Sequence, residues 1–180
     1  MKIQLKTSPR GEYREFDIEK GASIESLYQG LKADLLYTVY AARVQNRLEE
    51  LTYRLNEPCS IELLDMRTQD ANLIYQYSLT LLYIKAVRDC MGDVRVEVQN
   101  ALNKGLYTDI KTKGIISEQQ VQQIEDRMHV LVEADIPFVK ETVSVVRATE
   151  LLREEGLEEK WRLLEDVKDV ENVDFYTLDD

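Results

Sequence analysis

Ten tyrosines and a single histidine set the terms for chemistry in this sequence. Tyr75, Tyr77 and Tyr83 recur along one apolar, helix-forming run, and Tyr107 follows a glycine-containing turn. Phenolic hydroxyls placed this way can line a cleft and hydrogen-bond a ligand, although aromatic residues at helical spacing more often fill a core. His129 stands alone, so no multi-histidine metal site can be built around it, and without a neighbouring Cys or Ser it makes a poor general base. It is expected to be a surface residue or one whose bonds are satisfied. Acidic groups such as Glu118, Glu125 and Asp126 follow helical spacing and read as a solvated face rather than as a catalytic carboxylate pair.

The motifs that are missing narrow the chemistry further. There is no Gly-x-x-x-x-Gly-Lys-Ser/Thr loop to cradle nucleotide phosphates, no Gly-x-Gly-x-x-Gly, no Gly-x-Ser-x-Gly and no His-Glu-x-x-His. Cys59 and Cys90 have no CxxC partner, which excludes a zinc ribbon, and they are expected to be reduced, largely buried thiols. A formal charge of −11 disfavours direct, tight nucleic-acid binding, because a phosphate backbone is held by clustered Lys and Arg, and here they are scattered. No apolar run reaches the ~20 residues of a membrane helix, and no apolar signal core opens the chain, so a cytoplasmic location without membrane contact is expected.

The elements that must position these groups fall into two segments of an α+β fold, 1–66 and 67–180. Ile3 and Leu5 alternate with polar residues as in a half-buried strand, and Ser8-Pro-Arg-Gly11 turns the chain into a second strand over Tyr13 to Ile18. Ser23 is an N-cap for a short helix carrying Ile24, Leu27 and Leu31. Strands follow at Val39 to Val44, Leu48 to Leu51 and Cys59 to Leu64, with turns at Gln45-Asn46-Arg47 and Asn56-Glu57-Pro58. That order is a β-grasp, a ubiquitin-like layer of helix on mixed sheet, with Ile61 and Leu63 on a central strand beside the first.

The second segment opens with Asp70 as N-cap of a long helix to about Met91, closed by Gly92. Ile74, Tyr77, Leu81, Ile84 and Val87 form an apolar stripe, widened by Leu73, Leu79, Leu82, Tyr83 and Ala86, so the helix is expected to be buried on more than one side as the spine of a second core. Val94, Val96 and Val98 begin a hairpin that turns at Asn103-Lys104-Gly105 and returns through Leu106 to Ile110. Ser117 and Gln120 form a capping box before Val121, Ile124, Met128 and Leu131. A strand at Ile136 to Val143, a helix from Ser144 to Gly156, a helical piece anchored by Trp161 and a last strand at Val173 to Leu178 complete the reading.

The first segment resembles a TGS domain, the β-grasp module that opens threonyl-tRNA synthetases, through Pro9 to Gly11, Glu19-Lys-Gly-Ala-Ser23 and Ala42-Arg-Val-Gln-Asn-Arg-Leu48. The second resembles the threonyl/alanyl-tRNA synthetase editing domain, through Lys104-Gly-Leu-Tyr-Thr-Asp109, Ile124-Glu-Asp-Arg-Met128 and Asp135-Ile-Pro-Phe-Val-Lys-Glu141. Where that family has Arg-His-Ser-x-x-His, this chain has Gln76-Tyr77-Ser78-Leu79-Thr80-Leu81. Tyrosine and leucine can neither bind a metal nor activate water as a histidine pair does, so the resemblance implies an editing-type fold without its chemistry.

The runs Tyr77 to Val87, Leu102 to Tyr107 and Asp135 to Glu141 also look like a branch of uridine (nucleoside) kinase-like proteins in which both modules precede a phosphate-loop kinase domain. That resemblance implies a non-catalytic accessory or regulatory region, truncated at its C-terminus, with the kinase domain of the same protein as partner. ATP and Mg would then belong to the parent alone, and this chain would need no cofactor or metal. The alternative is a threonyl-tRNA-synthetase-like trans-editing or tRNA-related binding module, with Tyr77, Tyr107 and Asp109 around the old cleft as candidates for holding a small-molecule ligand. A third reading makes the β-grasp segment a purely structural contact module.

Overall fold

Ile3 and Leu5 are buried while Lys2 and Gln4 face water, so the period-2 pattern of the first residues becomes β1 (Lys2–Lys6). The computed structural model describes residues 1–102, 105–166 and 170–178, which divide into two units, Met1–Leu79 and Thr80–Asp180. In the first unit β1 is followed by β2 (Arg14–Asp17), α1 (Ile24–Leu31), a 3-10 turn over Lys32–Asp34, β3 (Val39–Val44), β4 (Arg47–Glu49) and β5 (Ser60–Asp65). The sheet order is β2-β1-β5-β3-β4, with β5 parallel to β1 and antiparallel to β3.

Local chemistry fixes these elements. The Ser23 hydroxyl accepts the Ser26 amide and caps α1. The β3–β4 hairpin turns through Gln45 and Asn46, both with positive φ (48° and 67°), as its two-residue loop requires. Ile61 and Leu63 of β5, Ala42 and Val44 of β3, and Ile3 and Leu5 of β1 share the face that packs on Ile24, Leu27 and Tyr28 of α1. On the opposite face Ala41 and Leu64 meet Ala71 and Ile74, from the start of α2 (Gln69–Met91).

That opposite face also carries a charge relay. Glu62 lies opposite both Lys6 and Arg43 in the register of three adjacent strands, and its two oxygens accept Lys6 Nζ and Arg43 Nη1 at 2.7 Å each. Arg43 Nη2 donates to Asp70. Asp70 is therefore not the N-cap of α2: the helix starts one residue before it, and the Thr68 hydroxyl accepts the Ala71 amide at 3.3 Å. The helix ends as expected, with Gly92 at φ 79° donating its amide to the Arg88 carbonyl.

Burial of α2 on more than one side is seen, but the members of the expected stripe are corrected. Tyr77 is 69% exposed, and Leu73 and Leu79 are exposed, because the helix supplies Ala71 and Ile74 to one core and Leu82, Ala86 and Val87 to another. No one face of it is apolar throughout.

In the second unit α2 is followed by β6 (Arg95–Leu102), β7 (Gly105–Lys111), α3 (Glu118–Glu133), β8 (Val139–Ser144), α4 (Val145–Glu154), α5 (Glu158–Glu165) and β9 (Asn172–Thr177). β6 pairs antiparallel with β7, and β8 with β9. The turn residues Asn103 and Lys104, and the chain end at Asp179 and Asp180, lie outside the described residues. Ser117 and Gln120 make the reciprocal capping box of α3, and Ser144 caps α4 through the Arg147 amide. Ile124 and Leu131 reach the core with Leu82, Ala86, Val87 and Leu178, while Val121 stays 55% exposed. Trp161 of α5 is half-buried and meets α4 through the Arg153 guanidinium, 4.5 Å from its ring centre, outside the apolar clusters.

Candidate functional site

The second unit contains a cleft of about 480 Å³ between the C-terminal half of α2, β7 and the start of α3. Its polar feature is a pair of neutral hydroxyls, Tyr83 from α2 and Thr108 from β7, 3.0 Å apart and half-buried. Period-2 alternation puts Thr108 and Ile110 on the inner face of β7, where Ile110 packs against the core. Ile116, Val121 and Ile124 add apolar wall, and Gly114 borders the opening.

Asp109 lines the same cleft but is already engaged. It stands opposite Glu97 in the β6–β7 register, and Lys111 Nζ bridges the two carboxylates at 2.6 Å to Asp109 and 3.2 Å to Glu97. Those contacts, Asp109 first, raise the affinity of the Lys111 amine for its proton. Behind the cleft, Asp89 ties α2 to α3 by accepting Lys85 at 2.8 Å and Arg127 at 2.7 Å. Desolvation pushes the Asp89 carboxyl up, but the hydrogen bonds and charges of Lys85 and Arg127 together outweigh it and hold it below the usual carboxylate range.

The three residues singled out in the sequence fare differently. Asp109 lines the cleft; Tyr107, on the same strand, is 53% exposed and is not among its lining; Tyr77 belongs to the first unit. Tyr83 and Thr108 carry the cleft's hydroxyl pair. Tyr83 is among the tyrosines that the sequence marks as able to line a cleft, with a core role favoured and without a place among the site candidates, whereas Thr108 carries no signal beyond its place in a strand. His129 is exposed on α3. Cys90 is exposed rather than buried, its thiol donating to the Gln123 carbonyl at 3.5 Å, while its neighbours Val87 and Met91 are the residues that pack in the apolar cluster. Among the described residues no three His, Cys, Asp or Glu side chains are grouped so as to hold a metal ion. Neutral hydroxyls on an apolar floor can orient a ligand by hydrogen bonds.

No family model matches the chain. It is similar to the threonine--tRNA ligase of Listeria monocytogenes serotype 4a, 29% identical over 171 residues, which is 95% of this chain and 26% of the ligase. The threonine--tRNA ligase of Clostridium kluyveri is 21% identical over 180 residues, 100% of this chain and 28% of that protein. A solved structure described as ATBAG1 in complex with HSP70 covers 89% of the chain at 11% identity with a TM-score of 0.34, too low to bear on the fold. The chain spans about a quarter of the length of the ligases it matches. It is, through both of its units, a threonyl-tRNA-synthetase-like region.

Proposed function

We infer that the chain is a non-catalytic, tRNA-related binding module of threonyl-tRNA-synthetase type. In this reading residues 1–66 form a TGS-like β-grasp layer, and residues 67–180 an editing-type domain whose histidine pair is replaced by Tyr77 and Leu81. The observation that carries it is a similarity to threonine--tRNA ligases that runs through 95% of the chain. The helix-on-sheet order of the first unit, with β5 between β1 and β3, supports the β-grasp reading. The cleft beside Tyr83, Thr108 and Asp109 is the ligand site taken forward, ahead of Tyr77 and Tyr107.

The kinase-parent expectation is set aside, together with its ATP, Mg and kinase-domain partner. The relatives named above are ligases, and neither fold nor cleft speaks for a kinase neighbour.

A charge of −11 means that contact with tRNA rests on few phosphates and on shape, so it is weak and only shallowly salt-dependent. The test is fluorescence anisotropy with a threonine-tRNA transcript and an unrelated tRNA at about 50 and about 200 mM salt. Preference for the threonine tRNA, with no hydrolysis of a misacylated ester of it, is the expected result. Equal or absent binding of both tRNAs, or ester hydrolysis without added zinc, would overturn the reading.

A further inference from the structure

The first unit's sheet ends on an edge with a groove beside it. β2 is the outermost strand, paired only with β1, and all four of its residues are exposed. Met1 and Ile18 exchange backbone hydrogen bonds of 2.6 and 2.9 Å. By the alternation of an antiparallel ladder, Arg14 and Phe16 then direct their N–H and C=O groups at β1, and Glu15 and Asp17 turn theirs to the open edge. A strand added there would find a complete set of donors and acceptors.

The two faces of that edge differ. On the α1 side, Phe16 and Ile18 border a groove of about 290 Å³ whose other wall includes Leu27 and Leu31. Phe16 is 38% exposed and lies opposite Ile3, so its ring marks where the sheet's apolar layer reaches the surface. On the opposite side stand Glu15 and Asp17, with Glu15 held by Lys2 at 2.5 Å. Side chains directly opposite in an antiparallel pair share a face. Two copies pairing through β2 about a twofold axis would therefore set Glu15 against Asp17, or Glu15 against itself. Like charges at such positions repel, so a second copy is a poor match. An incoming strand with basic residues on the acidic side and apolar residues toward the groove is a good one.

We propose that β2 and the adjoining α1 groove form a docking site for an extended segment of another protein in which apolar and basic residues alternate. The segment adds beside β2, exchanges backbone hydrogen bonds with Glu15 and Asp17, seats an apolar side chain against Phe16 and Leu27, and sets a basic one opposite Asp17. This interaction goes beyond the tRNA-related reading and does not depend on it.

The test is amide NMR of the full chain titrated with a soluble peptide alternating valine and lysine, and with a counterpart alternating valine and glutamate. The expected result is saturable shifts at Glu15, Phe16, Asp17, Leu27 and Leu31 with the lysine peptide alone. Asp17→Lys should reverse the preference, weakening the lysine peptide about fivefold. Glu15→Pro should abolish binding while leaving the β1–β2 ladder intact, since it removes only an outward N–H. Shifts elsewhere, equal response to both peptides, no response to either, or a concentration-dependent dimer through β2 would each overturn the proposal.

Discussion

Glu62 and Arg43 face each other directly across β5 and β3, with Arg43 Nη1 2.7 Å from a Glu62 oxygen and the glutamate side chain only 11% exposed. The pair sits at the centre of the sheet, where Lys6 takes the other oxygen from the opposite strand. A carboxylate that neutralises two neighbouring cations cannot be deleted without stripping Lys6 of its carboxylate and leaving Arg43 to Asp70 alone in a half-dry layer.

Glu62→Ala is therefore expected to destabilise the first unit by about 2 kcal/mol. The larger part should come from Lys6, since Arg43 keeps Asp70, so Lys6→Met combined with Glu62→Leu should recover much of the loss. Urea unfolding of the single and double variants, followed by circular dichroism, measures the difference.

In the cleft, Tyr83→Phe leaves the Thr108 hydroxyl without its protein partner and should cost about 1 kcal/mol. Thr108→Val in the same background should add little further, because the two hydroxyls act as one unit. A double-mutant cycle on thermal unfolding tests this coupling.

Acid sensitivity follows from two carboxyls. The Arg67 hydrogen bond outweighs desolvation and holds Asp65 below the usual range, and Lys85 with Arg127 does the same for Asp89. A carboxyl with a depressed folded pKa contributes stability that is fully present above its unfolded value, about 3.9, and is lost as pH falls through the folded value. Stability should thus hold steady above about pH 5 and decline below about pH 4. Asp65→Asn with Asp89→Asn should flatten that decline, read from unfolding midpoints across the pH range.

The thiols should react at different rates. Burial, and then the Glu57 charge, push the Cys59 thiol up, whereas Cys90 is exposed at the end of α2. A chromogenic disulfide reagent should show one fast and one slow phase, with the fast phase absent in Cys90→Ser.

Much of this was legible in the sequence where local chemistry decides. Ser23, Ser117 and Ser144 cap helices because a hydroxyl followed by an apolar period has few other uses, and Val39 to Val44 is a strand to the residue. Asp70 was the cap the sequence suggested, and only the Arg43 contact, from a distant strand, shows why the aspartate is used elsewhere while Thr68 takes the Ala71 amide. The breadth of the apolar pattern on α2 was legible, but periodicity alone cannot reveal that one helix feeds two cores and leaves Tyr77 exposed. Tyr83 stood out as an aromatic on a helix, but its partner Thr108 is an ordinary strand residue until the register places it there.

The position of β5 has a consequence for how the first unit comes into being. Lys6 and Glu62 are 56 residues apart, yet they meet at the centre of the sheet. Until Ser60 to Asp65 is available, the β1–β2 and β3–β4 hairpins have no ladder between them and no shared apolar layer to close. The sheet is therefore completed from its middle, by its last strand, so a ribosome must have released nearly the whole unit before any of it can become stable.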